Sequence, residues 1–167
     1  MAAESGGLTG AATVTSRTAE LGPDPDRGAA PDLTVLIPVY NEADNLEPLL
    51  DKLEADLRPL GLRAEILVVD DGSTDATAER LRALKPRHRG LCAISFRRNY
   101  GKSAALSVGF REARGRFIVT MDGDLQDDSA EIGPLLRKLE EGYDLISGWK
   151  QNRKDPISKT VPSKVFN

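Results

Sequence analysis

The chain has 167 residues, 40% of them hydrophobic, with 23 Lys and Arg against 26 Asp and Glu for a formal net charge of −3. That is enough apolar material for one buried core with some tail. Neither the charge balance nor any basic stripe interleaved with aromatics points to nucleic acid as a partner.

Residues 1–32 are mostly Ala, Gly, Thr, Ser and Pro without a single aromatic, so they are expected to form a disordered tail that cannot bury enough surface to offset its ordering. From Leu33 onward, short apolar runs alternate with helical stretches. This predicts an α/β fold with a Rossmann-like, mainly parallel sheet flanked by helices. Strands are expected at 33–39, 64–69, 91–96, 116–121 and 143–147, with four helices between them. The first helix places Leu46, Leu49, Leu50, Leu53 and Leu57 on one face, and the last does the same with Ile132, Leu135, Leu136 and Leu139. Asn41 before Asp44 and Asp128 before Glu131 have capping-box spacing at the starts of these helices. Cys92, the single cysteine, excludes an intrachain disulfide and reads as a small buried hydrophobe. No apolar run approaches the roughly 20 residues of a membrane span, and no signal-peptide core follows Met1, so a soluble cytoplasmic protein is the expectation.

In an open parallel sheet, ligands bind beyond the carboxyl ends of the strands. The first strand is followed by Pro38, Tyr40, Asn41 and Glu42, and the second by Asp70-Asp71-Gly72-Ser73-Thr74-Asp75. Arg97-Arg98-Asn99-Tyr100-Gly101-Lys102 follows the third, and Asp122-Gly123-Asp124-Leu125-Gln126-Asp127-Asp128 the fourth. Acids gathered on one sheet edge repel one another unless a cation or hydrogen bonds compensate. Two carboxylates flanking Gly123 suit a hard cation, Mg²⁺ or Mn²⁺, that keeps positions open for phosphates. Asp-x-Asp also occurs in ordinary turns, where Asp caps helices and tolerates left-handed backbone.

Other motifs fail on spacing. Gly101-Lys102-Ser103 resembles the end of a P-loop, but Phe96 stands where its first glycine belongs. Gly133 replaces the bidentate Glu of an EF-hand, and neither Gly-x-Gly-x-x-Gly nor Gly-x-Ser-x-Gly occurs. His88, the only histidine, lies among Lys and Arg and reads as a solvated surface residue.

Four ordered motifs, Leu-Ile-Pro-Val-Tyr-Asn-Glu (36–42), Val-Val-Asp-Asp-Gly-Ser-Thr-Asp (68–75), Arg-Arg-Asn-Tyr-Gly-Lys (97–102) and Met-Asp-Gly-Asp-Leu-Gln-Asp (121–127), resemble family 2 glycosyltransferases with a GT-A fold. Within that family the chain is similar to the polyprenyl-phosphate group, which includes dolichol-phosphate mannosyltransferases and bacterial undecaprenyl-phosphate glycosyltransferases. The resemblance implies a nucleotide-sugar-binding domain over 33–149 and a basic segment, 150–167, that begins an acceptor or membrane-proximal half. It implies that Pro38, Tyr40 and Glu42 line the nucleoside pocket and that Val69 and Asp71 contact the base. Asp122, Gly123 and Asp124 match the metal and diphosphate site, with Gln126 at a neighbouring metal position, and Lys150 matches a basic residue approaching the donor sugar or phosphate. Asp70 and Asp75 also suit turn bracing, and Trp149 suits packing.

The activity so implied is metal-dependent, inverting transfer of a hexosyl unit from a nucleotide-diphosphate sugar to a polyprenyl phosphate. Asp124 and Lys150 are the implied catalytic pair, and the cytoplasmic face of the membrane is the implied location. Members of the family continue past the position of Asn167, so the acceptor side is expected to need further sequence. Lys150, Arg153, Lys154, Lys159 and Lys164 suit an anionic membrane surface or a solvated linker. Two other functions remain open, a family 2 transferase with a sugar or protein acceptor and a nonenzymatic nucleotide-sugar-binding module.

Overall fold

A computed structural model describes residues 13–16 and 30–148. In chain order the elements are β1 (Thr13–Ser16), β2 (Leu33–Val39), α1 (Leu46–Leu57), β3 (Ala64–Asp70), α2 (Thr77–Leu84), β4 (Leu91–Ser95), α3 (Lys102–Glu112), β5 (Phe117–Thr120), α4 (Ile132–Glu140) and β6 (Leu145–Ser147). They form one sheet in the order β4-β3-β2-β5-β1-β6. The pairs β2·β3, β3·β4 and β2·β5 are parallel, as the alternation of strands and helices predicts.

β2 is apolar at every position but Thr34 because both of its faces are covered. Leu33, Val35, Ile37 and Val39 pack with the leucines of α1, with Leu81 and Leu84 of α2 and with the apolar face of α4. Leu36 turns the other way, joining Leu67, Val69 and Ile118 beneath Ala105 and Ala113, so that α3 covers the opposite face. Cys92, at the margin of that second cluster, is half-buried.

Three expectations need correction. Residues 1–32 include a strand: β1 lies antiparallel between β5 and β6, with Val14 opposite both Val119 and Ile146. Backbone pairing to two neighbours orders a short segment that its composition alone could not. Asn41 is not a helix cap, since α1 begins at Leu46 with Asn45 in the N-cap position. Asp128 does accept from the Ala130 N–H, at the 3-10 turn that leads into α4. His88 is buried, 2% exposed, with Nδ1 2.9 Å from Glu54 Oε1 and Nε2 3.8 Å from Asp51 Oδ1. The two acids of α1 supply a polar lining that its basic sequence neighbours do not reveal. Among the described residues, no helix is long and apolar enough to cross a membrane.

The amino ends of the strands are tied by a buried polar cluster. Glu65, 5% exposed, accepts from Thr34 Oγ1 at 2.7 Å, from the Arg114 backbone N–H at 3.0 Å, and from Arg114 Nε and Nη2 at 3.0 and 2.9 Å. Thr34 Oγ1 in turn accepts from the Gly115 N–H at 2.8 Å. Removing one partner of such a pair strands the others without water. Glu65→Ala is therefore expected to lower the unfolding free energy by about 3–5 kcal/mol, measured by urea denaturation, with Glu65→Gln costing less because it keeps an acceptor.

Candidate functional site

The opposite, carboxyl edge of the sheet opens as a cleft of about 280 Å³ lined by Pro38, Val39, Tyr40, Glu42, Asp71, Asn99, Gly101, Lys102, Asp122, Gly123 and Asp124. Four strand ends supply it: those of β2, β3, β4 and β5. The parallel register, which places Pro38 beside Val69, Val39 beside Asp70 and Leu36 beside Thr120, brings those ends level.

Asp71 is 3% exposed and fully engaged with backbone. Its Oδ1 accepts from the Tyr100 N–H and its Oδ2 from the Gly101 N–H, both at 2.8 Å, which pins the β4–α3 loop to the end of β3. Gly72 makes this possible. Its φ is +71°, and a Cβ there would lie 2.2 Å from the Arg98 carbonyl carbon, so no other residue allows the two loops so close.

A second clamp joins β2 to β3. Asn41 has φ +57°, and its Oδ1 accepts from the N–H groups of Thr74 at 2.8 Å and Asp75 at 3.3 Å, while Ser73 Oγ accepts from the Asn41 N–H at 2.8 Å. Asp70 Oδ1 holds the Ser73 N–H at 2.9 Å, so Asp70 braces this turn. Burial opposes ionisation of Asp75, but the hydroxyl and N–H of Thr77 and the N–H of Ala43 hold its carboxyl below the usual value of 3.8. Glu42 accepts from Asn45 Nδ2 at 2.6 Å, leaving its side chain beside Gly123.

Across the cleft, the Asp122 N–H donates to Asp127 Oδ2 at 2.8 Å, and Asp124 Oδ1 accepts from the Gln126 N–H at 3.0 Å, with Leu125 between them at φ +61°. At Gly123 a Cβ would lie 2.8 Å from Val39 Cγ1, so the backbone joining the two acids lies against β2. Lys102 places its ammonium on the Asp122 carboxylate. The loop is anchored to α1 through Lys52, which reaches Asp56 at 2.7 Å, Asp128 at 2.9 Å and Ser129 Oγ at 3.0 Å. The Lys52 ammonium and the Ala130 N–H hold the Asp128 carboxyl below 3.8.

Of the residues singled out in the sequence, Pro38, Tyr40, Glu42, Asp71, Asp122, Gly123 and Asp124 come together here. Val69 does not line the cleft; it is fully buried under α3. Gln126 is an exposed residue of the loop next to Asp124. Lys150 and Trp149 lie outside the described residues. Lys102 and Asn99 line the cleft although neither was singled out; the strand-end position of Arg97-Arg98-Asn99-Tyr100-Gly101-Lys102 was the available signal.

The family model described as Glycosyl transferase family 2 matches residues 34–166. The chain belongs to that family. It is 41% identical over 136 residues to an undecaprenyl-phosphate 4-deoxy-4-formamido-L-arabinose transferase of Pseudomonas paraeruginosa, covering 81% of this chain and 40% of the relative. The enzyme of the same name from Klebsiella pneumoniae subsp. pneumoniae is likewise 41% identical, with 42% of its length covered. Among solved structures, a mannosyltransferase from Pyrobaculum calidifontis in complex with GDP-Man and Mn²⁺ superposes with a TM-score of 0.52 at 34% identity, over 63% of this chain and 30% of its own. TarS of S. aureus, at 23% identity and a TM-score of 0.51 over 66% of this chain and 32% of its own, shares the fold. The sheet is thus a GT-A, Rossmann-like sheet, and this family 2 chain spans about 40% of the length of the curated relatives it matches.

The cleft fits a divalent ion of the kind that family 2 chemistry implies. Among the described residues no three acidic, His or Cys side chains converge as a closed cage. Two half-exposed carboxylates on one rigid turn are what Mg²⁺ or Mn²⁺ uses when phosphates complete its shell.

Two outcomes follow from this bracing. Asp71→Ala should accelerate amide exchange at Tyr100 and Gly101 by about tenfold or more, because each loses a charge-assisted bond worth roughly 1.5–3 kcal/mol; unchanged exchange there would remove Asp71 from the loop's support. Asp75 and Asp128 have folded-state values below their unfolded 3.8, so each adds stability above that pH and loses it as pH falls through the folded value. The thermal midpoint should stay level from about pH 7 to 5 and fall below about pH 4, less steeply in Lys52→Met.

Proposed function

We propose that this chain supplies the donor site of a transferase that moves a hexosyl unit from a nucleotide-diphosphate sugar to a polyprenyl phosphate, using Mg²⁺ or Mn²⁺ at the cytoplasmic face of the membrane. The observation that carries the proposal is the meeting of Tyr40, Glu42 and Asp71 with Asp122, Asp124 and Lys102 in one cleft, on a chain about 40% identical to transferases named for undecaprenyl phosphate.

In this proposal the nucleoside lies over the β2 and β3 ends. Tyr40, 44% exposed, offers a ring face for the base, and Pro38 and Glu42 frame it. Asp71 keeps the floor of that pocket in place, and in this reading the further lone pairs of its oxygens accept from the base edge. The diphosphate points towards β5. Asp122 and Asp124 would hold the cation, with Gln126 beside them. When bound, such an ion neutralises the charge that develops on a departing nucleoside diphosphate.

Little general-base help is required from the protein. An acceptor phosphate has a second pKa near 6 and arrives largely ionised at neutral pH. His88, the only histidine, is accordingly free to serve packing beneath α1. The family resemblance supports in-line displacement with inversion, and it gives Lys150 a place against the donor sugar or phosphate. The basic residues between 150 and 164 suit an anionic bilayer surface.

The test is calorimetry with GDP and UDP, with and without Mn²⁺, followed by incubation with radiolabelled nucleotide sugars and a short-chain polyprenyl phosphate. Asp124→Asn should weaken Mn²⁺-supported nucleotide binding by about 10–100-fold while leaving metal-free binding near wild type. Unchanged affinity and unchanged Mn²⁺ dependence in that variant would sink the cation assignment, and sugar transfer to a non-phosphorylated acceptor in preference to the lipid phosphate would sink the acceptor class.

A further inference from the structure

Lys102 is the first residue of α3, and its ammonium is paired with Asp122 on the far wall of the cleft. Its backbone is fixed from behind, because the preceding Gly101 N–H is held by Asp71 at 2.8 Å. Its head group is not fixed in the same way. The Lys102 and Asp122 side chains are 58% and 44% exposed, so water screens their attraction and the pair exchanges readily for another partner. A lysine stem with four rotatable carbons moves its charge over several ångströms while its Cα stays put.

The two acids of the turn are neutralised to different extents. Asp122 already faces a cation, whereas among the described residues Asp124 accepts only the backbone N–H of Gln126. A divalent ion held by both would meet the Lys102 charge already on Asp122, and without a diphosphate three positive charges would face two carboxylates. Once a diphosphate enters, its oxygens offer the ammonium a better partner and release Asp122.

We propose that Lys102 is an exchanging counter-cation: it occupies Asp122 while the cleft is empty, weakens cation binding in the absence of donor, and transfers to the donor's diphosphate when cation and donor bind together. This rests on the cleft being a cation–diphosphate site. Lys102 thereby makes the two ligands bind as a pair, since any coupling it creates acts equally in both directions. It also discriminates among ligands: a nucleoside diphosphate gains the ammonium, and a nucleoside lacking phosphates does not.

The experiment compares the 167-residue chain with Lys102→Met and Lys102→Arg, titrating Mn²⁺ alone and then GDP and UDP at fixed Mn²⁺. Lys102→Met should bind Mn²⁺ alone about three- to tenfold more tightly, a gap that narrows with added salt because it is a like-charge repulsion at the surface. The same variant should bind nucleoside diphosphate about tenfold or more weakly, through loss of a charge-assisted contact. Lys102→Arg should recover most of that loss. Opposite signs for the two ligands are what a merely structural lysine would not give. Mn²⁺ affinity unchanged or weakened in Lys102→Met, with wild type binding the ion, overturns the exchange but leaves the cation site standing. A wild-type chain that binds Mn²⁺ neither alone nor with GDP or UDP overturns both.

Discussion

Asp71 lies at the end of β3 with each carboxylate oxygen taking one backbone N–H from the loop that begins α3. Burial does not hold that loop there, since Arg97 to Tyr100 are all exposed, and its own contacts are local ones of Tyr100 with Phe96 and Arg98. Because the loop is pinned, α3 starts at a fixed point on the sheet edge and Lys102 faces Asp122 across the cleft. Gly72 is the steric counterpart of the same constraint, with Arg98 backbone where a Cβ would be. The β2–β3 side and the β5 side of the cleft are therefore coupled through one buried carboxylate.

The Asp70-Asp71-Gly72-Ser73 turn thus works as scaffold and as site wall at once. Asp70 holds Ser73, Ser73 holds Asn41, and Asn41 holds Thr74 and Asp75, so the β2 and β3 ends cannot separate without breaking several bonds together. Asn41 and Leu125, the two non-glycine residues with positive φ among those described, flank opposite walls of the cleft. Such conformations persist where neighbouring bonds over-determine them, and both loops are over-determined in this way.

Much of this architecture was legible because burial leaves a periodic trace. The apolar run of β2, broken only by Thr34, and the leucine and isoleucine faces of α1 and α4 identify strands and helices from the chain itself, to within a residue or two at most ends. The acids at the strand ends likewise follow from topology. What was not legible depended on partners far along the chain. The Asn41 spacing suits a helix cap as well as a cross-loop clamp, and its partners lie 33 and 34 residues away. His88 has Lys and Arg on either side, but the Glu54 and Asp51 that approach it come from another helix. β1 is a short segment with three β-branched residues in a Gly- and Ala-rich tail, ordered by pairing with β5 and β6 and not by local pattern. Lys102 follows Gly101 as in a P-loop but with Phe at position 96, so the motif lacks its phosphate cradle while the lysine keeps its reach.

The acidic segment 122–128 carries four carboxylates, and the structure disposes of them unequally. Asp127 is 5% exposed and turns inward to take the Asp122 N–H, closing the loop on itself. Asp128 is matched by Lys52 and caps the turn before α4. Those two carboxylates are spent on holding the loop's shape and its attachment to α1. The remaining pair, Asp122 and Asp124, flanks Gly123 and faces the cleft, one carrying a lysine in a solvent-exposed pair and the other accepting the Gln126 N–H. Repulsion is thereby confined to two residues, on a backbone that the other two immobilise, without the desolvation cost of burying four charges, and it is on this local negative field that the proposed cation site rests. The division between bracing and binding acids lies in which of them the neighbouring helix and loop can reach, and that follows from where β5 ends beside β2.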